Sequence, residues 1–248
     1  MISKIKTRCI TALVCSGTMM SAQADFFGVD VGAGYWNANF GGTVIADVTL
    51  ADELHLDTSN STFVFVAFEH PVPLVPNIKL AHTRLKDSGA GRLARDFTFN
   101  GQAFTTNQAV SSTIDLSHTD ATLYYEIIDI GMDLDVGLTG RFFQGEMLVN
   151  TTLEDIDAFL PMIYGRARLG MPFTGSWVSG DINYTGFGGN SVSDYRVSLG
   201  WETANFLLPE LGVEGGYRSF SIDAQADNLD IKADTKIDGW FFNLTGHF

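Results

Sequence analysis

Apolar residues recur at every second position along most of this chain, and helical spacing is nearly absent. In "IGMDLDVGLTGR", Ile130, Met132, Leu134, Val136 and Leu138 share one face. Gly131, Asp133, Asp135, Gly137, Thr139 and Arg141 share the other. "SDYRVSLGWE" sets Tyr195, Val197, Leu199 and Trp201 against Asp194, Arg196, Ser198, Gly200 and Glu202. "MIYGRARLGM" opposes Ile163, Ala167, Leu169 and Met171 to Tyr164, Arg166 and Arg168, and "LGVEGGYRSF" opposes Leu211, Val213 and Tyr217 to Glu214 and Arg218. Successive side chains on a strand point to opposite faces, so each segment predicts a strand with one apolar and one polar face.

Alternation alone also fits a two-sheet sandwich with its apolar face as core. The connections discriminate. Short ones fall at 69–77, 127–131, 171–175 and 204–212, and long polar stretches at about 39–60, 88–111, 149–157, 186–193 and 224–234. Short turns at one end and long loops at the other characterise membrane barrels. The predicted fold is therefore all-β: a transmembrane antiparallel up-and-down β-barrel of ten strands, rather than eight or twelve. The strands are placed near 26–38, 60–70, 77–88, 111–128, 131–148, 157–171, 175–186, 193–204, 211–224 and 234–248. Within the second long stretch, Asn100-Gly101 predicts a small hairpin projecting above the membrane.

Aromatics favour two girdles at the ends of such a barrel. Phe26, Phe27, Phe68, Tyr124, Tyr125, Phe173, Phe206 and Phe248 fall near the turn side; Trp36, Phe142, Phe143, Phe159, Trp177, Tyr184 and Phe187 fall elsewhere, several near strand tops.

Residues 1–24 stand apart. Lys4, Lys6 and Arg8 precede the short apolar run "CITALVCSGTMM", and "SAQA" ends in the small-x-small pattern of a cleavage site. The segment reads as a secretory signal peptide cleaved after Ala24, leaving residues 25–248 as the barrel. Val14 before Cys15 argues against a lipoprotein. The segment holds both cysteines, three of the 15 basic residues and none of the 29 acids, so the remainder has no thiol chemistry and a formal charge of −17. Such an acidic chain does not seek nucleic acid.

The C-terminal strand, with Phe248 preceded by Leu244, Phe242 and Trp240 and with Gly239 upstream, resembles the assembly signal of outer-membrane barrels. Gly246 departs from that pattern, which prefers a bulky residue there. Together with "ADFFGVDVGAGYW" after the leader, the chain resembles a family of small proteobacterial outer-membrane β-barrel proteins. The resemblance implies the outer membrane of a Gram-negative bacterium, contact with lipid and lipopolysaccharide, and handling by the barrel assembly machinery. It implies no activity, since fold does not settle function.

The chemistry must come from the polar face. Asp133, Asp135, Arg141, Arg166, Arg168, Arg196, Glu202, Glu214 and Arg218 are expected in the lumen, with Glu126 and Lys79 as further candidates. Ten strands enclose little more space than side chains fill, and buried charges must pair. The expectation is a charge network that largely plugs the lumen, with Arg166 and Arg168 facing Asp133 and Asp135. The competing reading is a narrow polar pore.

A rim hydrolase, protease or lipid A-modifying, would draw on His118 and Asp120 with Asp133 and Asp135, or on His118 with Ser117 or Ser112. Asp133 follows a short turn, at the wrong height for rim chemistry. His55, His70, His82 and His247 are scattered, and no HExxH, CxxC or Walker glycine loop occurs. Asp47, Asp52, Glu53 and Asp57, and Asp223, Asp227, Asp230 and Asp234, lack calcium-loop spacing and are expected on a solvated outer surface. The alternative is divalent-ion bridging to lipopolysaccharide. No cofactor or metal is expected, and the function expected is a non-enzymatic structural, surface-binding or minor channel role for a monomer.

Overall fold

The computed structural model describes residues 27–44, 48–203, 209–226 and 231–248. The expected leader lies outside these, as do Phe26, Asp47, Phe206, Asp227 and Asp230. The strands are β1 (Gly28–Val44), β2 (Val48–Thr49), β3 (Thr58–Glu69), β4 (Asn77–Arg84), β5 (Lys86–Arg92), β6 (Phe97–Phe99), β7 (Gln102–Phe104), β8 (Ala109–Asp115), β9 (His118–Asp129), β10 (Met132–Val149), β11 (Thr152–Gly170), β12 (Ser176–Phe187), β13 (Asn190–Glu202), β14 (Glu210–Ala226) and β15 (Ile231–His247).

Ten of them close a wall: β1, β3, β4, β9, β10, β11, β12, β13, β14 and β15 pair in that order, all antiparallel, and β15 returns to β1. Closure pairs every wall strand on both sides, which a spanning sheet requires because lipid offers backbone groups no partner. The final seam runs from Asp30↔His247 to Thr43↔Asp234, and Phe248 exchanges two backbone hydrogen bonds with Val29.

The loop side differs from expectation. The stretches 149–157 and 186–193 are not long loops. β10 and β11 continue to a two-residue turn at Asn150-Thr151, and β12 and β13 to one at Gly188-Gly189. β14 and β15 likewise pair out to Ala226↔Ile231. Polar composition misled here because these strand tips stand in water, where both faces tolerate polar residues. The stretch 88–111 holds strands too: β5 and β8 extend β4 and β9 upward beyond breaks at Leu85 and Leu116–Ser117, and β8 pairs with upper β10. The hairpin at Asn100-Gly101 forms as predicted, with both turn residues at positive φ (45° and 75°).

Along several wall strands, including β1, β10 and β15, the apolar parity reverses. On β10, Met132, Leu134, Val136, Leu138 and Phe142 point outward while Asp133, Asp135, Thr139 and Arg141 point inward. Above that level Phe143, Met147 and Val149 point inward, and Gln144 and Glu146 outward. On β15 the outward row passes from Leu244, Phe242 and Trp240 to Asp238, Lys236 and Asp234; the inward row passes from Asn243 to Phe241 and Ile237. On β1 Tyr35 ends the outward apolar row and Trp36 begins the inward one. A wall in lipid must be apolar outside, whereas a wall in water buries its apolar face within, so the reversal marks the upper edge of the belt.

Above the reversal an apolar cork fills the barrel. Leu50, Leu54 and Leu56 from the β1–β3 connection, Leu85 and Leu93, and Phe97, Phe99 and Phe104 of the hairpin join Trp36, Phe40, Phe143, Phe220, Ile237 and Phe241 of the wall in one buried cluster. The hairpin thus packs into the cork instead of standing free. Glu53 corrects the solvated-surface reading for the first loop: it is buried, bonds the Thr49 backbone N–H at 2.6 Å and pairs with Arg95 at 2.9 Å. Asp52 is exposed as expected.

The girdle assignment holds in part. Phe27 stacks on Phe68 at 5.8 Å on the turn side, and Phe142 meets Phe159 at 4.8 Å near the belt's top. Tyr124, Trp36, Phe143 and Trp177 instead face inward and are buried. On and just after β15, Trp240, Phe242, Leu244 and Phe248 are all exposed. Gly239 is held by a close approach: a Cβ there would lie 1.8 Å from the Asn37 carbonyl oxygen.

Candidate functional site

The inward polar residues beneath the cork form two tiers. The upper centres on Arg141, which has no solvent exposure. Its Nε and Nη2 donate to Asp120 at 2.8 and 2.7 Å, and Nη2 also donates to Asp194, across the lumen on β13, at 2.7 Å. Arg218 grips the same Asp194 at 2.9 and 2.7 Å, donates to Thr83 at 3.3 Å, and lies 4.6 Å over the Trp36 ring. Four strands, β9, β10, β13 and β14, are thus tied together by two guanidiniums and two carboxylates. Charge-assisted forks of this kind are the strong class of hydrogen bond.

The lower tier opens toward the short turns. Arg196 and Lys79 share Asp181 at 3.2 and 4.0 Å, and Arg166 reaches Asp135 at 3.7 Å. Arg168 pairs with Glu202 at 2.5 Å and lies 4.6 Å over Trp177. Asn243 donates to Glu214 at 3.1 Å, and the Tyr124 hydroxyl to Glu69 at 2.7 Å. A cavity of ≈ 80 Å³ remains here, and one of ≈ 40 Å³ beside Arg141 and Arg218.

Of the residues expected in the lumen, Lys79, Arg141, Arg166, Arg168, Arg196, Glu202, Glu214 and Arg218 line the two cavities and Asp135 pairs with Arg166, whereas Glu126 and Asp133 lie at the rim. One pairing differs. Arg168 lies in register with Asp133, yet its ion pair is with Glu202. Asp133 instead sits with Glu126 and Asp129 at the turn-side rim, carboxylate oxygens within 4.8 Å of one another. The sequence reading left Asp181 and Asp194 out of the network, although Asp194 shares its face with Arg196. Strand parity signalled both; Arg196 and Arg218 lie on the strands next to them, whereas Lys79 for Asp181 and Arg141 for Asp194 lie across the bore, which parity cannot show.

The catalytic candidates do not assemble. His118 is buried, its ring 5.3 Å from Phe143 and 5.8 Å from Phe220, and Nδ1 bonds the Leu116 carbonyl at 2.9 Å. Both Asp120 oxygens serve Arg141. The Ser117 hydroxyl accepts the Leu85 N–H at 3.1 Å, and Ser112 is buried on β8 opposite Val149, near the top of β10. Asp133 and the β10 partner of His118, Phe143, stand ten residues apart on β10, or roughly 30 Å along the strand.

No family model matches the chain, and no curated protein is detectably similar in sequence. Among solved structures, the chain is similar to the outer membrane protease OmpT from Escherichia coli, with 11% identity and a TM-score of 0.44, covering 91% of this chain and 96% of that one. It is also similar to the toluene transporter TodX of P. putida, with 8% identity and a TM-score of 0.28, covering 90% and 89%. Membership of the barrel class rests on the closed wall and its apolar belt.

Proposed function

We propose that this protein is an integral outer-membrane β-barrel with a closed lumen and a non-enzymatic role at the cell surface, structural or ligand-presenting. Arg141 carries the reading. It is fully buried within the lumen and clamped between Asp120 on the neighbouring strand β9 and Asp194 across the bore on β13, with the cork above it. A hydrated pore needs an open path, and an arginine pinned across the lumen removes it. The leader at 1–24 and the terminal Phe248 support export and handling by the barrel assembly machinery. Exposed outward acids above the belt, such as Asp234, would face the zone of lipopolysaccharide, where divalent cations would bridge them to anionic headgroups. A monomer suffices, since the wall closes on itself. The committed hydrogen bonds of Asp120 weigh against a rim hydrolase built on His118.

Liposome flux tests the reading. Vesicles carrying the refolded protein should hold a salt gradient as tightly as protein-free vesicles; a steady leak that scales with protein content would contradict closure.

A further inference from the structure

The short turns present large apolar residues where turn chemistry favours small ones. Val72-Pro73-Leu74-Val75 and Met171-Pro172-Phe173-Thr174 are built alike. In each, the last N–H bonds the first carbonyl (3.4 and 3.3 Å), proline holds the second position, and the third has positive φ: 69° at Leu74 and 66° at Phe173. That third position is normally given to glycine or asparagine, because a Cβ is strained there. Here it holds leucine and phenylalanine, 91% and 101% exposed.

The backbone around Leu74 is prepared for a dry setting. Pro71, Pro73 and Pro76 have no N–H to satisfy. The His70 N–H bonds Asn77 Oδ1 at 3.1 Å, and the Val72 N–H bonds His70 Nδ1 at 3.2 Å. His70 Nε2 meets the Pro76 carbonyl at 3.2 Å, so a single neutral tautomer serves both ring contacts. The Leu74 carbonyl accepts the Tyr125 hydroxyl at 2.9 Å, and the Thr174 carbonyl accepts Trp201 Nε1–H at 3.1 Å. Tyr125 and Trp201 both lie on the outward face, so each turn is tied to the lipid side of the wall.

Residues 70–76 continue outward from the shorter end of β4. Ile78 is in register with Leu123 and Leu123 with Leu138; from that row β10 runs six residues further, to Met132. Counted from that row, β4 stops at Asn77, five residues short of β10. Val72, Leu74 and Val75 stand exposed beyond the end of β4.

We propose that these two turns are lipid anchors, with Leu74 and Phe173 seated among the acyl chains of the leaflet on the short-turn side. The occupant is lipid because the turns continue the apolar belt. The proposal rests on the membrane-barrel reading, and its test separates the two. In a background with Cys9 and Cys15 replaced by serine, Leu74→Cys, Phe173→Cys, Leu138→Cys (belt) and Gln102→Cys (exposed hairpin) carry an environment-sensitive fluorophore in phosphatidylcholine vesicles containing brominated acyl chains. Leu74→Cys and Phe173→Cys should lose fluorescence as Leu138→Cys does, while Gln102→Cys is quenched only by aqueous iodide. If the turn labels follow Gln102→Cys while Leu138→Cys is quenched by lipid, the anchor proposal fails alone. If Leu138→Cys also escapes lipid quenching, the membrane reading fails and the anchors fall with it.

Discussion

The barrel interior is ionic below the level of Phe143 and apolar above it, although the same strands line both parts. Below, the outward face needs apolar residues for lipid, and the inward face carries charges that close on one another. Above, the outward face meets water, and the inward face supplies a hydrophobic core of the ordinary kind. The two halves fill the same bore by different physics. The ionic half gives geometric specificity and little net stability, because desolvation offsets most of the Coulomb gain. The cork gives stability in proportion to the apolar surface it buries.

Breaking a pair in the ionic half should cost most. Asp194→Ala leaves Arg218 without its carboxylate and Arg141 with one of two, and unpaired buried charges cost about 3–5 kcal/mol. Urea unfolding in detergent or vesicles should show that loss; a change below about 1 kcal/mol would mean the tier is hydrated and loose. Leu54→Ala in the cork should cost about 3 kcal/mol by cavity formation. Its effect should add to that of Asp194→Ala if the halves are independent, and a strongly non-additive double variant would join them into one unit.

The boundary between the halves can be sharpened from outside. Leu138→Arg, in the middle of the β10 belt, should cost about 2–3 kcal/mol in bilayers. Lys236→Leu, above the belt, should change stability by no more than about 0.5 kcal/mol. Equal effects at the two positions would erase the inferred edge.

The smallest effect is expected at Glu53. Burial pushes its carboxyl up, but hydrogen bonds from Thr49 and the Arg95 guanidinium outweigh that and hold it below its ordinary 4.5. A lowered folded pKa stabilises above the unfolded value and is lost as pH falls through the lowered one. A nitroxide on Asp52→Cys should therefore stay immobile above about pH 4.5 and gain mobility as pH falls below it. Mobility unchanged down to acid unfolding would show that Glu53 does not hold the cork loop.

Parity made the ionic half legible in the sequence. Asp133, Arg141, Arg196 and Arg218 each sit opposite an apolar row, and alternation survives whatever the neighbouring strands do. The cork was hidden for the same reason. Above the belt the apolar row changes sides, so Phe143 and Trp36 read as girdle residues when period two is carried on without a boundary. Asn150-Thr151 and Gly188-Gly189 looked like parts of long loops, because strands in water lose the strong contrast that marks strands in lipid. Partners across the bore, such as Arg141 with Asp194, depend on shear and closure, which no local pattern contains.

Single-channel current in planar bilayers tests closure most directly. The wild-type barrel should be silent. It should stay silent when residues 49–55 are replaced by a Gly-Ser linker, since the Arg141 clamp still spans the bore, and conduct only when Arg141 and Asp194 are also replaced by serine. Steady ohmic steps from the wild-type protein would contradict the account.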